Sequence, residues 1–304
     1  MESDLKILKN STASEEESSS KSINIAYLIL VHRLPEQFKR LFNAIYELNN
    51  YYLIHIDKKA DKEIGKEIRS FLESYPNVFI QESENVVWGG YSMVQAELDG
   101  MHFLLKINAH WDYFINLSGQ DYPLKSQKII REFLTENEGK SYIKIANQKN
   151  KRPETMNRIE NHFEELGDRI SPLTYKRNYL KDVIPYIGGQ WMILTRDCCS
   201  FICNSIEVKK FENYYKNTLI ADESFFQTVL MNTSYSGQLI DDDKRAIIWI
   251  PDGDIKLRPK TFTMTDAVFL HTGNNLFARK FDDNVDENII NKMENYYTTA
   301  LTAV

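Results

Sequence analysis

At 304 residues the chain can bury a large core, as one big domain or as a core with a smaller lobe. Hydrophobic content of 42% and charged content of 26% are those of an ordinary globular protein, and a net charge of -6 argues against a general nucleic-acid binder, whose phosphate partner calls for excess Lys and Arg. No run of about 18 apolar residues occurs, so no transmembrane helix is expected.

Residues 1–22 are polar and rich in Ser and Glu, without the apolar centre of a signal peptide, and are expected to form a disordered leader. Ordered sequence starts at Ile23. From Ile23 to Val31 the run is nearly all apolar, broken only by Asn24, which is the length and pattern of a buried strand. Pro35 suits the first turn of a helix carrying Phe38, Leu41, Phe42, Ile45 and Leu48. Tyr52 to Ile56 reads as a second buried strand ending at Asp57, Lys58 to Leu72 as a helix with a polar face, and Asn77 to Ile80 as a short strand.

Ser92 and Gln95 have the spacing of a capping box for a helix bearing Val94, Leu98, Met101 and Leu105. Tyr113 to Leu117 is again a buried strand, running into Ser118-Gly119-Gln120-Asp121. A helix over Ile129 to Leu134 and a strand over Tyr142 to Ile145 follow. Strands alternating with helices predict an α/β sandwich with a mostly parallel sheet, in which ligands sit beyond the carboxyl ends of the strands. Asp57, Trp88-Gly89-Gly90 and Gly119-Gln120-Asp121 fall at or just after such ends.

From Asn147 to about Lys181 the chain turns polar and basic with little periodicity, as expected of a long excursion over the sheet that faces a partner. A strand resumes over Gly188 to Thr195, Glu223 to Leu230 reads as a helix, and Asp286 to Leu301 as a closing helix. Cys198, Cys199 and Cys203 are an odd, clustered set without metal-ligand spacing to His, which fits a reduced, cytosolic compartment; peripheral membrane attachment stays open.

Two segments carry chemistry together. Asp222-Glu223 puts an acid at the head of an apolar run, where a carboxylate can act as general base or simply start a helix. Arg279-Lys280 sets two cations between Phe277 and Phe281, where fixed charge can stabilise a departing diphosphate without a metal, or can be a plain basic pair. A base and a cation pair are the minimal equipment for moving a sugar from a nucleotide to a hydroxyl. Val31, Asp57 and Val86-Val87-Trp88-Gly89-Gly90 could form a slot for base and ribose, with an aromatic face and close backbone approach at glycine. Asp241-Asp242-Asp243 raises a Mg²⁺ or Mn²⁺ reading, but consecutive residues rarely converge on one ion, so a solvated acidic turn is expected and no metal site is assigned. His32 and His55, on buried strands, are expected in core or supporting roles.

The chain resembles the core-2/I-branching enzyme and peptide O-xylosyltransferase family, glycosyltransferase family 14. The blocks that carry the resemblance are Val31-His32-Arg33, Ile54-His55-Ile56-Asp57-Lys58-Lys59, Val87-Trp88-Gly89-Gly90-Tyr91-Ser92, Phe114 to Pro123, Gly188-Gly189-Gln190-Trp191, Glu223-Ser224-Phe225-Phe226 and Phe277-Ala278-Arg279-Lys280-Phe281. They run in order from about Ile23 to Tyr297. The resemblance implies a GT-A type fold, Rossmann-like, with a mostly parallel sheet flanked by helices in a single catalytic domain over residues 23–304. Its nucleotide-binding part would be about 23–147 and its acceptor and catalytic part about 148–304.

The resemblance further implies inversion at the anomeric carbon, a UDP-sugar donor and no metal cofactor. Glu223 matches the family's base. Arg279 and Lys280 match its diphosphate cations, and Val31, Asp57, Val86, Val87, Trp88, Gln190 and Trp191 its nucleotide-sugar contacts. Trp249 matches an aromatic of the acceptor region. The Trp-Gly-Gly and Glu-Ser-Phe-Phe blocks look closer to the xylosyltransferase branch. Departures are Gln190 where that branch has an acid, and Gly253 where it has a serine near the diphosphate, with Arg258 or Lys260 as candidates to compensate. The disulfide cysteines, stem and anchor of secretory-pathway members are not expected here, and the Asn- and Lys-rich composition suggests a bacterial glycan enzyme.

The expectation is therefore an inverting, metal-independent transfer of xylose or N-acetylglucosamine from a UDP-sugar to a hydroxyl of a glycan or glycopeptide. The alternatives are a catalytically inactive homologue that binds a glycan or nucleotide, a metal-dependent transferase using Asp241 to Asp243, and, more distantly, a nucleotidyltransferase.

Overall fold

The computed structural model describes residues 23–81, 84–252 and 256–301, with residues 256 and 297–301 described by their backbone alone. The leader expected over 1–22 and the position of Gly253 lie outside the described residues. Among the described residues no helix is long and apolar enough to cross a membrane.

The chain alternates strand and helix as its periodicity predicts. The order is β1 (Ile25–Val31), α1 (Pro35–Ile45), β2 (Tyr51–Ile56), α2 (Lys62–Leu72), β3 (Val78–Gln81), α3 (Ser92–Lys106) and β4 (Tyr113–Ser118). Then come β5 (Asp121–Pro123), α4 (Gln127–Glu136), β6 (Lys140–Ile143) and, after short elements between 146 and 187, β7 (Met192–Thr195), α5 (Arg196–Asn204) and α6 (Lys209–Tyr215). Then follow α7 (Phe225–Met231), β8 (Gln238–Ile240), β9 (Arg245–Ile247), the ribbon β10 (Trp249–Asp252) and β11 (Lys256–Pro259) and, past a short helix at Ala267–Thr272, β12 (Phe277–Arg279) and α8 (Asp283–Leu301).

Seven strands form the central sheet in the order β8-β6-β7-β4-β1-β2-β3. Neighbours pair in parallel except around β7, which is antiparallel to both β4 and β6. The sheet is thus mostly parallel, with one reversed strand. Both faces are covered, as the near-continuous apolar strands require. On β1, Ile25, Tyr27, Ile29 and Val31 join a core with Phe38, Leu41 and Phe42 of α1 and Ile289 and Ile290 of α8. Ala26 and Leu28 face the other way, into a core with Val94, Leu98 and Met101 of α3 and Phe225 and Phe226 of α7. The side-chain period of two along the strand divides these residues between the layers.

Three local expectations differ from the structure. The first helix stops at Ile45, and Leu48 is 72% exposed rather than on its buried stripe. The Tyr52 hydroxyl explains the early stop: it accepts from Glu47 N and donates to Ile45 O, taking over groups that a further turn would have used. The second helix starts at Lys62 rather than Lys58, because the Asp61 side chain caps Glu63 N. The capping box at Ser92 does not form. The Ser92 hydroxyl accepts from Val87 N, and the start of α3 is closed from a distance by Glu165, whose Oε1 accepts from Ser92 N at 2.7 Å. The polar excursion is not featureless either: it folds into short helices at Gln148–Lys151 and Asn157–Glu160 and small antiparallel ribbons.

Candidate active site

The carboxyl edge of the parallel strands gathers most of the predicted residues. Asp57 N donates to Val31 O at 2.9 Å, which joins the ends of β2 and β1. Asp57 Oδ1 accepts from Lys59 N, and Lys59 Nζ donates to Val86 O. Val31, Val86 and Val87 are buried, whereas Trp88 is 69% exposed. Gly89 has φ +77°, a conformation that glycine alone adopts without strain. Its carbonyl accepts from Ile220 N at 2.7 Å, so the Trp-Gly-Gly turn is fastened to the segment that leads into Glu223.

Glu223 does not begin the helix, as its sequence setting suggested. Asp222 and Glu223 lie in a single 3-10 turn, Ala221–Glu223, and Ser224 (φ -142°, ψ -17°) separates that turn from α7. The reason is local: Ile220 takes a left-handed conformation to bond Gly89, and the chain re-enters helical geometry only at Phe225. The Glu223 carbonyl accepts from Gly188 N at 2.7 Å. Its carboxylate pairs with Arg158, Nη1 to Oε2 at 2.7 Å, with both side chains about four-fifths buried. Arg158 comes from the polar excursion, which therefore delivers a partner to the acid. Beside it, burial and the neighbouring Glu223 charge push the Asp222 carboxyl up to about 7.

Because β7 is antiparallel, its start lies at the edge where its parallel neighbours end, and this brings Gln190 and Trp191 to the centre of the site. Asn116 of β4 holds the entry to β7 from both sides. Its Nδ2 donates to Gln190 O at 2.9 Å and its Oδ1 accepts from Met192 N at 2.9 Å. The same Nδ2 donates to Glu97 Oε1 at 2.8 Å, and Gln190 Nε2 donates to that oxygen at 3.1 Å. Glu97, on the buried face of α3, is fully buried. Burial and the Asp222 charge hold its carboxyl well above the usual range.

Two arginines pack against Trp191. The Arg245 and Arg279 guanidinium groups lie 5.0 and 4.7 Å from its ring centre. A second small sheet, β9-β12-β5, sets their positions, pairing Ile247 with Arg279 and Arg279 with Asp121. Asp121 Oδ1 accepts from Arg279 Nη1 at 2.9 Å, and Asp121 Oδ2 lies 3.7 Å from Arg245 Nη1. Arg279 also donates to the Ser118 hydroxyl. Burying these charges is costly unless they are paired, and Asp121 supplies the pairing.

Lys280 stands next in a crowd of like charge. Burial, then Arg279, Arg33 and Arg258, hold its ammonium below the usual lysine range, against the opposing pull of Asp282. Such a cluster of cations is a favourable place for an anion. Arg33 pairs with Asp282 and Arg258 lies 3.7 Å from Asp252 on the β10–β11 ribbon, while Lys260 is engaged by Asp266. Trp249, on the same ribbon, is 48% exposed.

The acidic triplet does not converge. Asp241 Oδ1 accepts from Ile145 N, Asp242 pairs with Lys244, and Asp243 Oδ1 accepts from Arg245 N. Asp243 is buried, so the turn is not simply solvated. Among the described residues no group of three or more His, Cys, Asp or Glu is placed to hold a metal ion. His55 is buried, and its Nε2 accepts from Glu84 N, a supporting role as expected.

Sequence reasoning passed over Glu97, Asn116, Arg158 and Arg245 as members of the site. Glu97 had a readable signal: it sits three residues after Val94 and four before Met101, on the stripe that the helix buries. A charged residue there asks for a purpose.

The comparisons with known proteins bear on the same region. The family model described as Core-2/I-Branching enzyme matches residues 25–274. A xylosyltransferase of Ciona intestinalis is 28% identical over 297 residues, covering 90% of this chain and 34% of its own. Xylosyltransferase 2 of Homo sapiens is 28% identical over 296 residues, covering 88% and 33%. The chain thus spans about a third of the length of these curated relatives. Among solved structures, the galactosyltransferase LgtC, in complex with donor and acceptor sugar analogs, aligns at a TM-score of 0.42 and 9% identity, over 85% of this chain and 87% of that one.

Proposed function

The chain belongs to the Core-2/I-branching enzyme family, and from that premise we propose that it is a glycosyltransferase with a GT-A type arrangement, which moves a sugar from a UDP-sugar to a hydroxyl of a glycan or glycopeptide. The observation that carries this reading is the layout around Gln190-Trp191. Gln190 bonds Glu97, which feels the charge of Asp222 beside Glu223, the acid, while the guanidinium of Arg279, followed in sequence by Lys280, packs on the Trp191 ring.

In the proposed reaction the nucleotide lies over the carboxyl ends of β1 and β2, against Val31, Asp57 and the Val86-Val87-Trp88 turn. The acceptor hydroxyl attacks the anomeric carbon, and Glu223 takes its proton. The bond from that carbon to the phosphate oxygen breaks on the opposite face, which inverts the centre. The departing UDP gains negative charge, which Arg279 and Lys280 stabilise without a metal. Arg158 orients Glu223 through its ion pair. Trp249, exposed on the ribbon, is proposed to meet the acceptor. Xylose and N-acetylglucosamine are the proposed donor sugars.

The test is UDP release from UDP-xylose and UDP-N-acetylglucosamine, with chelator present, comparing wild type with Glu223→Gln across a panel of sugar and peptide acceptors. Release that needs Glu223 and survives chelation supports the reading. Activity that vanishes with chelator and returns with Mn²⁺ overturns its metal-free part. Failure of wild type to bind UDP overturns the whole.

A further inference from the structure

Glu97 is a buried acid with only half its hydrogen-bonding capacity in use. Its Oε1 accepts from two amides, Asn116 Nδ2 at 2.8 Å and Gln190 Nε2 at 3.1 Å, and its Oε2 is buried with no hydrogen-bond partner among the described residues. Among the described residues no cation pairs with it, and the charge that it feels is the like charge of Asp222. A carboxylate in that setting would be uncompensated on one oxygen, so the neutral acid is the favoured form. As a neutral acid it has a fixed polarity: a carbonyl at Oε1 that accepts two N–H groups, and a hydroxyl at Oε2.

That polarity has a consequence for Gln190. With Nε2 committed to Glu97 and the backbone carbonyl held by Asn116, the free end of the side chain is the acceptor oxygen Oε1. An acceptor at that point is complementary to a hydroxyl. We propose that Glu97 is a positioning residue, which orients the Gln190 amide so that its Oε1 accepts a hydrogen bond from a hydroxyl of the donor's sugar. This rests on the donor-site reading above and deepens it: Gln190 and Glu97 act as one acid–amide unit.

The unit makes the effects of its two members non-additive. The test measures dissociation constants for UDP, UDP-xylose and UDP-N-acetylglucosamine by calorimetry, with melting temperature as the control for folding. In Gln190→Ala and in Glu97→Met, affinity for the better-bound UDP-sugar is expected to fall about tenfold, the size of one lost hydrogen bond, while UDP affinity stays within about twofold. Glu97→Met combined with Gln190→Ala is expected to lose no more than either alone. Glu97→Gln keeps an acceptor for both amides and is expected to stay within about threefold of wild type.

A second cycle uses substitutions of near-equal size, should Glu97→Met fail to fold. Gln190→Glu sets two acids side by side and is expected to weaken UDP-sugar binding, and adding Glu97→Gln exchanges the acid and the amide and is expected to recover it. Losses that multiply in the first double variant, no recovery in the second, or equal loss for UDP and UDP-sugar all overturn the proposal. So does equal affinity of wild type for UDP and both UDP-sugars. Wild type that fails to bind UDP is a separate result: it overturns the nucleotide-sugar reading and, with it, this one.

Discussion

Arg158 and Glu223, 65 residues apart in sequence, meet with Nη1 and Oε2 at 2.7 Å in a pocket that hides about four-fifths of each side chain. The excursion from Asn147 to about Lys181 and the turn before α7 therefore act together. Removing the guanidinium leaves a largely buried carboxylate beside Asp222 without its cation, a change that is strongly unfavourable. Arg158→Ala is expected to lower turnover at least about tenfold and to lower the melting temperature by a few degrees. Arg158→Lys, which keeps the charge but loses the planar fork, should fall between. Single-turnover assays with melting curves check this.

Glu223→Gln removes the proton acceptor and little else. Gly188 holds the Glu223 backbone carbonyl, and Arg158 can still donate to the amide oxygen. Turnover should fall by about 10² to 10⁴-fold while UDP affinity holds. Loss of UDP binding in parallel would make the residue structural.

Lys280→Met should separate binding from stability. Burial, then crowding by Arg279, Arg33 and Arg258, depresses the lysine, so its charged form burdens the empty protein. The melting temperature without ligand should hold or rise, and UDP affinity should fall by about tenfold or more. Melts with and without UDP read both terms. An unchanged UDP shift would remove Lys280 from the phosphate site.

Asp222 predicts a pH dependence of stability. Its folded carboxyl is pushed up to about 7, above its unfolded value near 4. Between those values the folded state holds a proton that the unfolded state has released, so stability falls as pH rises through that window. Asp222→Asn removes this contribution. Its melting temperature should match wild type near pH 4 and exceed it most above pH 7, a comparison that thermal melts in a pH series provide. A constant difference at all pH values would contradict the assignment.

Gly188→Ala tests the backbone support of the acid. A Cβ there would sit 1.9 Å from the Lys144 carbonyl oxygen, a contact that requires main chain to move. The shift would also disturb the bond from Gly188 N to Glu223 O. The variant should be destabilised by about 1–3 kcal/mol or more, and its residual folded fraction should have lost turnover. Denaturant unfolding alongside activity per folded molecule distinguishes the two effects.

The alternation of elements and the sheet type were legible in the residues, because strand period and helix period are local and the strands are too apolar for any exposed face. The sequence marked the strand-end segments at Asp57, Trp88 and Gln120-Asp121 for the same reason, and family blocks singled out Glu223, Gln190-Trp191 and Arg279-Lys280. It misjudged Leu48 and Ser92, where a hydroxyl from Tyr52 and a carboxylate from Glu165 settle the helix ends from outside the local segment.

Only the tertiary structure decided which polar groups share the site. Arg158 reaches Glu223, Glu97 reaches Gln190 across 93 residues, and Asp121 reaches Arg279 across 158. Those pairings depend on where a reversed strand, an excursion and a second small sheet cross the carboxyl edge of the first. Hydrophobic periodicity records which face of an element is buried, but not which distant element supplies the partner for a buried charge. Burial makes each unpaired charge costly, so the crossing of elements, rather than any local pattern, selects the pairs.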